Sequence, residues 1–170
     1  MKSILISIKP KWVAKILNGE KTIEIRKTMP KCDLPIDVYI YCTKDKEPCF
    51  AGVPRSGKYT VLNGKVVAKF TLNKVEEITN RYCKGMLIDS CLTNYELNNY
   101  LGNSVGYAWH ISNLKIFDEP KELSEFNKYG CEQYDKDVCA VYGERGHLYT
   151  NCFFHLTKAP QSMCYIESEK

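Results

Sequence analysis

The sequence of 170 residues predicts an α+β fold, a small mixed β-barrel with flanking short helices. Many short segments alternate apolar and polar residues with period two. Only two or three short stretches carry helical spacing. The strand-like runs after the first helix are not interleaved with further helices, which favours a barrel over a parallel βαβ sheet, although strand, helix, strand at the start keeps a βαβ opening as the competing topology. The length suits one core rather than two domains.

Ser3 to Ile8 places Ile4, Ile6 and Ile8 on one side and Leu5 and Ser7 on the other, the pattern of a short, largely buried strand. Pro10 suits a first helical turn and Gly19 a C-terminal cap, framing a two-turn helix over Lys11 to Asn18. Trp12, Val13, Ile16 and Leu17 form its apolar stripe; Lys11 and Lys15 lie four apart on the other face, which is basic if it meets solvent. Next, Glu20 to Lys27 alternates so that Ile23 and Ile25 point inward and Thr22, Glu24 and Arg26 share the opposite face. Ile36 to Cys42 is a third strand. Asn63-Gly64, between Tyr59–Leu62 and Lys65–Phe70, signals a hairpin. Thr93 and Glu96 form a capping box for a helix over Asn94 to Leu101, stopped at Gly102. Val105 to Phe117 reads as a long strand, with Tyr107, Trp109 and Ile111 on one face and Gly106, Ala108 and His110 on the other. Pro120 to Phe126 carries a helical turn or two. Asn127 to Lys158 lacks periodicity and reads as an insertion, and Ala159 to Glu167 closes the fold as a strand.

Composition narrows the class. At 44% hydrophobic and 26% charged residues, neither long disorder nor a fibrous repeat fits. No apolar run approaches the roughly 18 residues of a membrane helix, and the N-terminal segment lacks a cleavage-site pattern, so a soluble, cytoplasmic protein with no membrane partner is expected. Nine cysteines, an odd number spread along the chain, agree with a reducing compartment. Residues 1–74 hold 15 Lys+Arg against 6 Asp+Glu, and residues 75–170 hold 9 against 14. The first half therefore offers a positive surface able to attract phosphate.

That charge includes a lysine, a carboxylate and an arginine on one strand near the core. Buried charges are costly unless paired or met by a ligand, so Lys21, Glu24 and Arg26 mark either a cleft wall or an exposed strand face with a Glu24–Arg26 pair. In a cleft, Arg26 would clamp a phosphate with its fork, Lys21 would supply a point charge or a base, and Glu24 would accept a hydrogen bond from a base or sugar. Lys9 lies close by in the chain. Trp12, Tyr107 and Trp109 are the aromatics nearest these residues, each either core or stacking surface, and His110 is either a ligand-facing or a packed histidine. Cys131, Cys139, Cys152 and His155, spaced C-x7-C-x12-C-x2-H, could hold zinc or remain free buried thiols; no other cofactor is required. Pro54-Arg55-Ser56-Gly57-Lys58 has only a superficial likeness to a phosphate loop.

Ile6-Ser7-Ile8-Lys9-Pro10, the G-x-K-x-x-E-x-R pattern of Gly19 to Arg26, Tyr107-Ala108-Trp109-His110-Ile111 and Ala159-Pro160-Gln161-Ser162 together resemble ASCH-domain proteins, especially small bacterial and prophage-type members. The resemblance runs from Lys2 to about Phe126 and resumes at Ala159. It implies a PUA-like barrel and association with RNA, or a nucleotide, in a cleft beside the G-x-K-x-x-E-x-R strand, in RNA metabolism or regulation. The site it implies comprises Lys9, Lys21, Glu24 and Arg26, with Tyr107, His110, Gln161 and Ser162 nearby. A similar subgroup removes the acetyl group of N4-acetylcytidine with a lysine, a threonine and a glutamate. The lysine matches Lys21, the threonine position holds Glu24, and the glutamate falls near Asp89 and Ser90. A hydrolase of RNA or a modified nucleoside, with Lys21 and Glu24 as catalytic residues, is thus the first alternative. A protein-interaction module docking through residues 127–158 is the second.

Overall fold

The computed structural model describes residues 1–50, 59–78, 84–130 and 156–167. In chain order these form β1 (Lys2–Ile8), α1 (Pro10–Leu17), β2 (Ile23–Arg26), β3 (Ile36–Cys42), β4 (Val66–Ile78), α2 (Lys84–Ser90), α3 (Asn94–Leu101), β5 (Gly106–Lys121), a 3-10 turn (Leu123–Glu125) and β6 (Met163–Glu167). The architecture is α+β, with one six-stranded sheet ordered β2-β5-β4-β3-β1-β6.

Ile4, Ile6 and Ile8 pack with Val38, Ile40 and Phe70, and α1 lays Val13 and Ile16 onto that surface. Leu5, on the reverse side of β1, joins Tyr39, Phe126 and Ile166 in a second cluster. Burial on both faces explains why β1 and β3 are nearly continuous apolar runs. A third cluster, Ile23, Ile25, Ala108, Leu97 and Leu101, seats α3 on β2 and β5. The inward placement expected of Ile23 and Ile25 is thus observed.

Three expectations change. β1 pairs in parallel with β3, so the opening crossover contains both α1 and β2, while β2 itself pairs antiparallel with β5. The Asn63-Gly64 turn forms, with Gly64 at φ +82°, but it does not join two long strands. Val61 makes an isolated bridge to Phe50, and β4 instead runs on to Ile78 between β3 and β5. Third, among the described residues the ladder is open, with β2 and β6 as its edges, rather than hydrogen-bonded into a closed barrel. At four residues β2 is short, and its contact with the β1 and β6 side runs through the Arg26 side chain.

The helix over Asn94–Leu101 has the expected bounds and cap. Thr93 Oγ1 accepts from the Glu96 N–H at 3.2 Å, and the Glu96 carboxylate accepts from the Thr93 N–H at 3.0 Å. These bonds to Thr93, with the Lys11 ammonium, hold the Glu96 carboxyl at about 2. The basic face expected on α1 is offset by partners: Lys11 pairs with Glu96 at 3.1 Å and Lys15 with Glu20 at 2.9 Å. The candidate zinc set Cys131, Cys139, Cys152 and His155, the phosphate-loop-like residues 54–58 and most of the 127–158 segment lie outside the described residues.

Thr93→Ala is expected to lower stability by about 1 kcal/mol in urea denaturation. Because Glu96 is depressed in the folded state, its contribution is fully present above its ordinary 4.5 and fades as pH falls toward about 2. The stability gap between the wild type and Glu96→Gln should therefore narrow over that window. A gap indifferent to pH would refute the cap's electrostatic role.

Candidate functional site

Parallel pairing sets the carboxyl ends of β1 and β3 side by side, and the Thr43 N–H donates to the Ile8 carbonyl at 2.9 Å. Lys9 follows β1 and Lys44 follows β3, both exposed. Between these ends, β2, α1 and α3 lies a cleft of about 780 Å³, within the usual range for small-molecule sites.

The floor comes from the chain around β2. Gly19, at φ +75°, lets the chain reverse after α1, so that the Glu20 and Lys21 N–H groups both donate to the Lys15 carbonyl. This delivers Lys21 into the protein, 3% exposed. Its ammonium donates to the Ser90 carbonyl at 2.7 Å and lies 3.3 Å from Glu24 Oε2. Glu24 Oε1 is 3.4 Å from Arg26 Nη1. Among the described residues the buried charged side chains are Lys21, Glu24 and Arg26, all from the one motif. One carboxylate thus serves two buried cations, leaving a net positive floor.

The Arg26 fork meets acceptors within the protein. Nη1 also donates to the Ser7 carbonyl at 3.1 Å, and Nη2 donates to the Ser162 carbonyl and, at 2.9 Å, to Ser162 Oγ. The guanidinium therefore ties β2 to the end of β1 and to the segment entering β6. A phosphate clamp by this fork would have to displace those bonds. Arg26 Nε is buried without a partner.

The expected residues Lys9, Lys21, Glu24, Arg26, Gln161 and Ser162 all line the cleft. Tyr107 and His110 do not. Tyr107 packs against the main core, and His110 stands opposite Ile23 on β5 and bonds Glu76. Trp109 is fully buried, whereas Trp12 is only partly buried and lines the cleft. Lining residues absent from the sequence reading include Thr43, Lys44 and Asp45 after β3, Lys27 after β2 and Tyr100 on α3. Tyr100 bonds the Lys27 backbone, and burial pushes its phenol up, opposed by the nearby Arg26 charge. The first three follow from the parallel β1–β3 pairing, which brings the carboxyl ends of those strands together, whereas the parallel option in the sequence paired the opening strand with the one after α1. Tyr100 carries no comparable local cue. Asp89 and Ser90 do meet the motif, but by backbone: their carbonyls accept from the Thr22 N–H and the Lys21 ammonium. Among the described residues no group of three or more His, Cys, Asp or Glu side chains is arranged to hold a metal ion.

An open mixed sheet with a cation-rich cleft at the ends of its parallel pair defines a small α+β domain. The family model of the ASCH domain matches residues 6–142, and the chain belongs to that family, which is generally thought to bind RNA. Among solved structures, an ASCH protein from Zymomonas mobilis is 19% identical, with 97% of this chain and 87% of that one covered and a TM-score of 0.57. Two mutant forms of the Zymomonas mobilis protein are 17% and 16% identical, covering 98% and 97% of this chain and 91% and 88% of theirs, with TM-scores of 0.57 and 0.56. At these identities the likeness is one of fold. No curated protein matches the chain.

Glu24→Ala leaves two buried cations without their carboxylate and is expected to cost about 3–5 kcal/mol of stability. Lys9→Ala, at the exposed rim, should stay within about 0.5 kcal/mol of wild type. Chemical denaturation of both variants checks the contrast, and equal effects would remove the charge cluster from its structural role.

Proposed function

We propose that this protein binds RNA, or a nucleotide, in the cleft beside the Gly19 to Arg26 segment, in RNA metabolism or regulation. The observation that carries this reading is the buried Lys21–Glu24–Arg26 cluster beneath a rim of exposed Lys9, Lys27 and Lys44. The lining holds five Lys or Arg side chains against Glu24, Asp45 and Glu96, and Glu96 is already engaged by Lys11. A polyanion meets a positive field there, and the protein has already met the desolvation cost of the floor charges. The family's general association with RNA supports the same ligand class.

The Arg26 tie supports a PUA-like barrel whose last seam is closed by a side chain rather than by a backbone ladder. Cys32, Cys42, Cys49, Cys91 and Cys164 are free thiols, in keeping with a reducing, cytoplasmic setting. Burial pushes Cys42 up to about 12 and Cys164 up to about 11, which suits inert structural thiols. Hydrolysis is the second reading. Glu24 occupies the expected threonine position, yet Thr28, Thr43 and Ser162 line the same cleft as Lys21 and Glu24, so hydroxyl groups are present.

Labelled single-stranded RNA, titrated by fluorescence anisotropy across a salt series, should bind with salt-sensitive affinity. Lys9→Ala and Lys44→Ala should each reduce the log–log salt slope by about 0.7 if each meets one phosphate. Absence of RNA binding by the folded protein overturns the proposal. RNA cleavage, or deacetylation of N4-acetylcytidine, that disappears in a folded Lys21→Met variant would establish the hydrolase reading instead.

A further inference from the structure

We infer that the cleft takes its RNA ligand base-first, with a nucleobase edge at the floor and the phosphates held at the rim. This rests on the RNA-binding reading and adds an orientation to it, one that follows from counting donors. The four terminal N–H groups of Arg26 have four acceptors: Ser7 O, Glu24 Oε1, Ser162 O and Ser162 Oγ. Its remaining donor, Nε–H, is single and buried. Lys21 donates one of its three N–H groups to Ser90 O, and its ammonium stands 3.3 Å from Glu24 Oε2 and 5.3 Å from the Trp12 ring centroid.

A phosphate lowered to this floor would meet a carboxylate between the two cations, with only isolated N–H groups to receive its oxygens. Like charges that close repel strongly in a desolvated site. A neutral base edge fits the same atoms. It can accept from a remaining Lys21 N–H and donate to a carboxylate oxygen of Glu24, each of which has spare acceptor capacity.

The walls and rim point the same way. Trp12, Leu92 and Tyr100 line the cleft and suit the face of a base better than a phosphate. The Lys21 ammonium stands 5.3 Å from the Trp12 ring centroid, which sets the indole beside the floor; the Lys11 ammonium, 4.3 Å from the same centroid on a side chain 54% exposed, is the group a stacking base would displace. Lys9, Lys27 and Lys44 lie at the exposed rim, where contacts to a sugar–phosphate backbone belong.

The test titrates the full chain by calorimetry with the four common ribonucleosides, their 5′-monophosphates, ribose 5-phosphate and inorganic phosphate, and compares single-stranded RNA with an abasic oligomer of equal length. At least one nucleoside should bind, its monophosphate more tightly, with ribose 5-phosphate and inorganic phosphate much weaker. The abasic oligomer should lose roughly tenfold or more, the worth of one stacked base. Trp12→Leu and the more exposed Tyr100→Ala should each weaken nucleoside binding by a similar factor, and Trp12→Phe should restore most of it. Because Trp109 is fully buried, quenching of tryptophan fluorescence by a bound nucleoside reports on Trp12 in the unmodified protein. RNA and abasic oligomer binding alike, or ribose 5-phosphate matching the monophosphates, overturns base-first entry while leaving RNA binding intact. Loss of all RNA and nucleoside binding overturns both.

Discussion

Glu24 is the charge on which the surrounding structure depends. Two cations, Lys21 and Arg26, are buried within reach of one carboxylate, and neither is tolerable there alone. With Glu24 in place, Lys21 can reach across to the Ser90 carbonyl at the end of α2, and Arg26 can reach Ser7 and Ser162. Three elements distant in sequence are thereby fixed around four residues of β2. The same groups form the cleft floor, so the cluster that ties the fold together also lines the cleft.

This sharing explains the division between floor and rim. A guanidinium whose terminal N–H groups all serve the fold is a rigid part of the wall, and its positive charge is felt by a ligand without being available as a clamp. Exposed charge is left to Lys9, Lys27 and Lys44, with the Lys27 ammonium 5.3 Å from the Tyr100 ring centroid. Trp12, Leu92 and Tyr100 line the space between. The cleft therefore grades from buried and hydrogen-bonded at its base to exposed and charged at its mouth.

Its position follows from the one parallel ladder described. Antiparallel neighbours would place the ends of β1 and β3 at opposite edges of the sheet. Parallel pairing brings Lys9 and Thr43-Lys44-Asp45 together, beside the start of α1. Meanwhile Ser7 anchors the returning chain, its N–H donating to the Ser162 carbonyl and its hydroxyl to the Pro160 carbonyl at 2.6 Å. The segment that precedes β6 thus becomes a wall of a cleft built mainly from the first hundred residues.

Local chemistry made much of this legible in the sequence. Strand patterning located β1, the break at Pro30 and Pro35 set off β3, Pro10 and Gly19 bracketed α1, and the Thr93/Glu96 box fixed the start of α3, because each signal acts within a few residues. The grouping of Lys21, Glu24 and Arg26 was equally visible, since charges on a strand flanked by isoleucines must find partners or a ligand. Tertiary structure alone decided the partners. Parallel pairing of β1 with β3, the use of the Arg26 fork by Ser7 and Ser162, the exclusion of Tyr107 and His110 from the cleft and the entry of Tyr100 all depend on which elements meet. A residue's periodicity says which side it faces, whereas the neighbour across that side is chosen by packing and hydrogen-bond satisfaction over the whole chain.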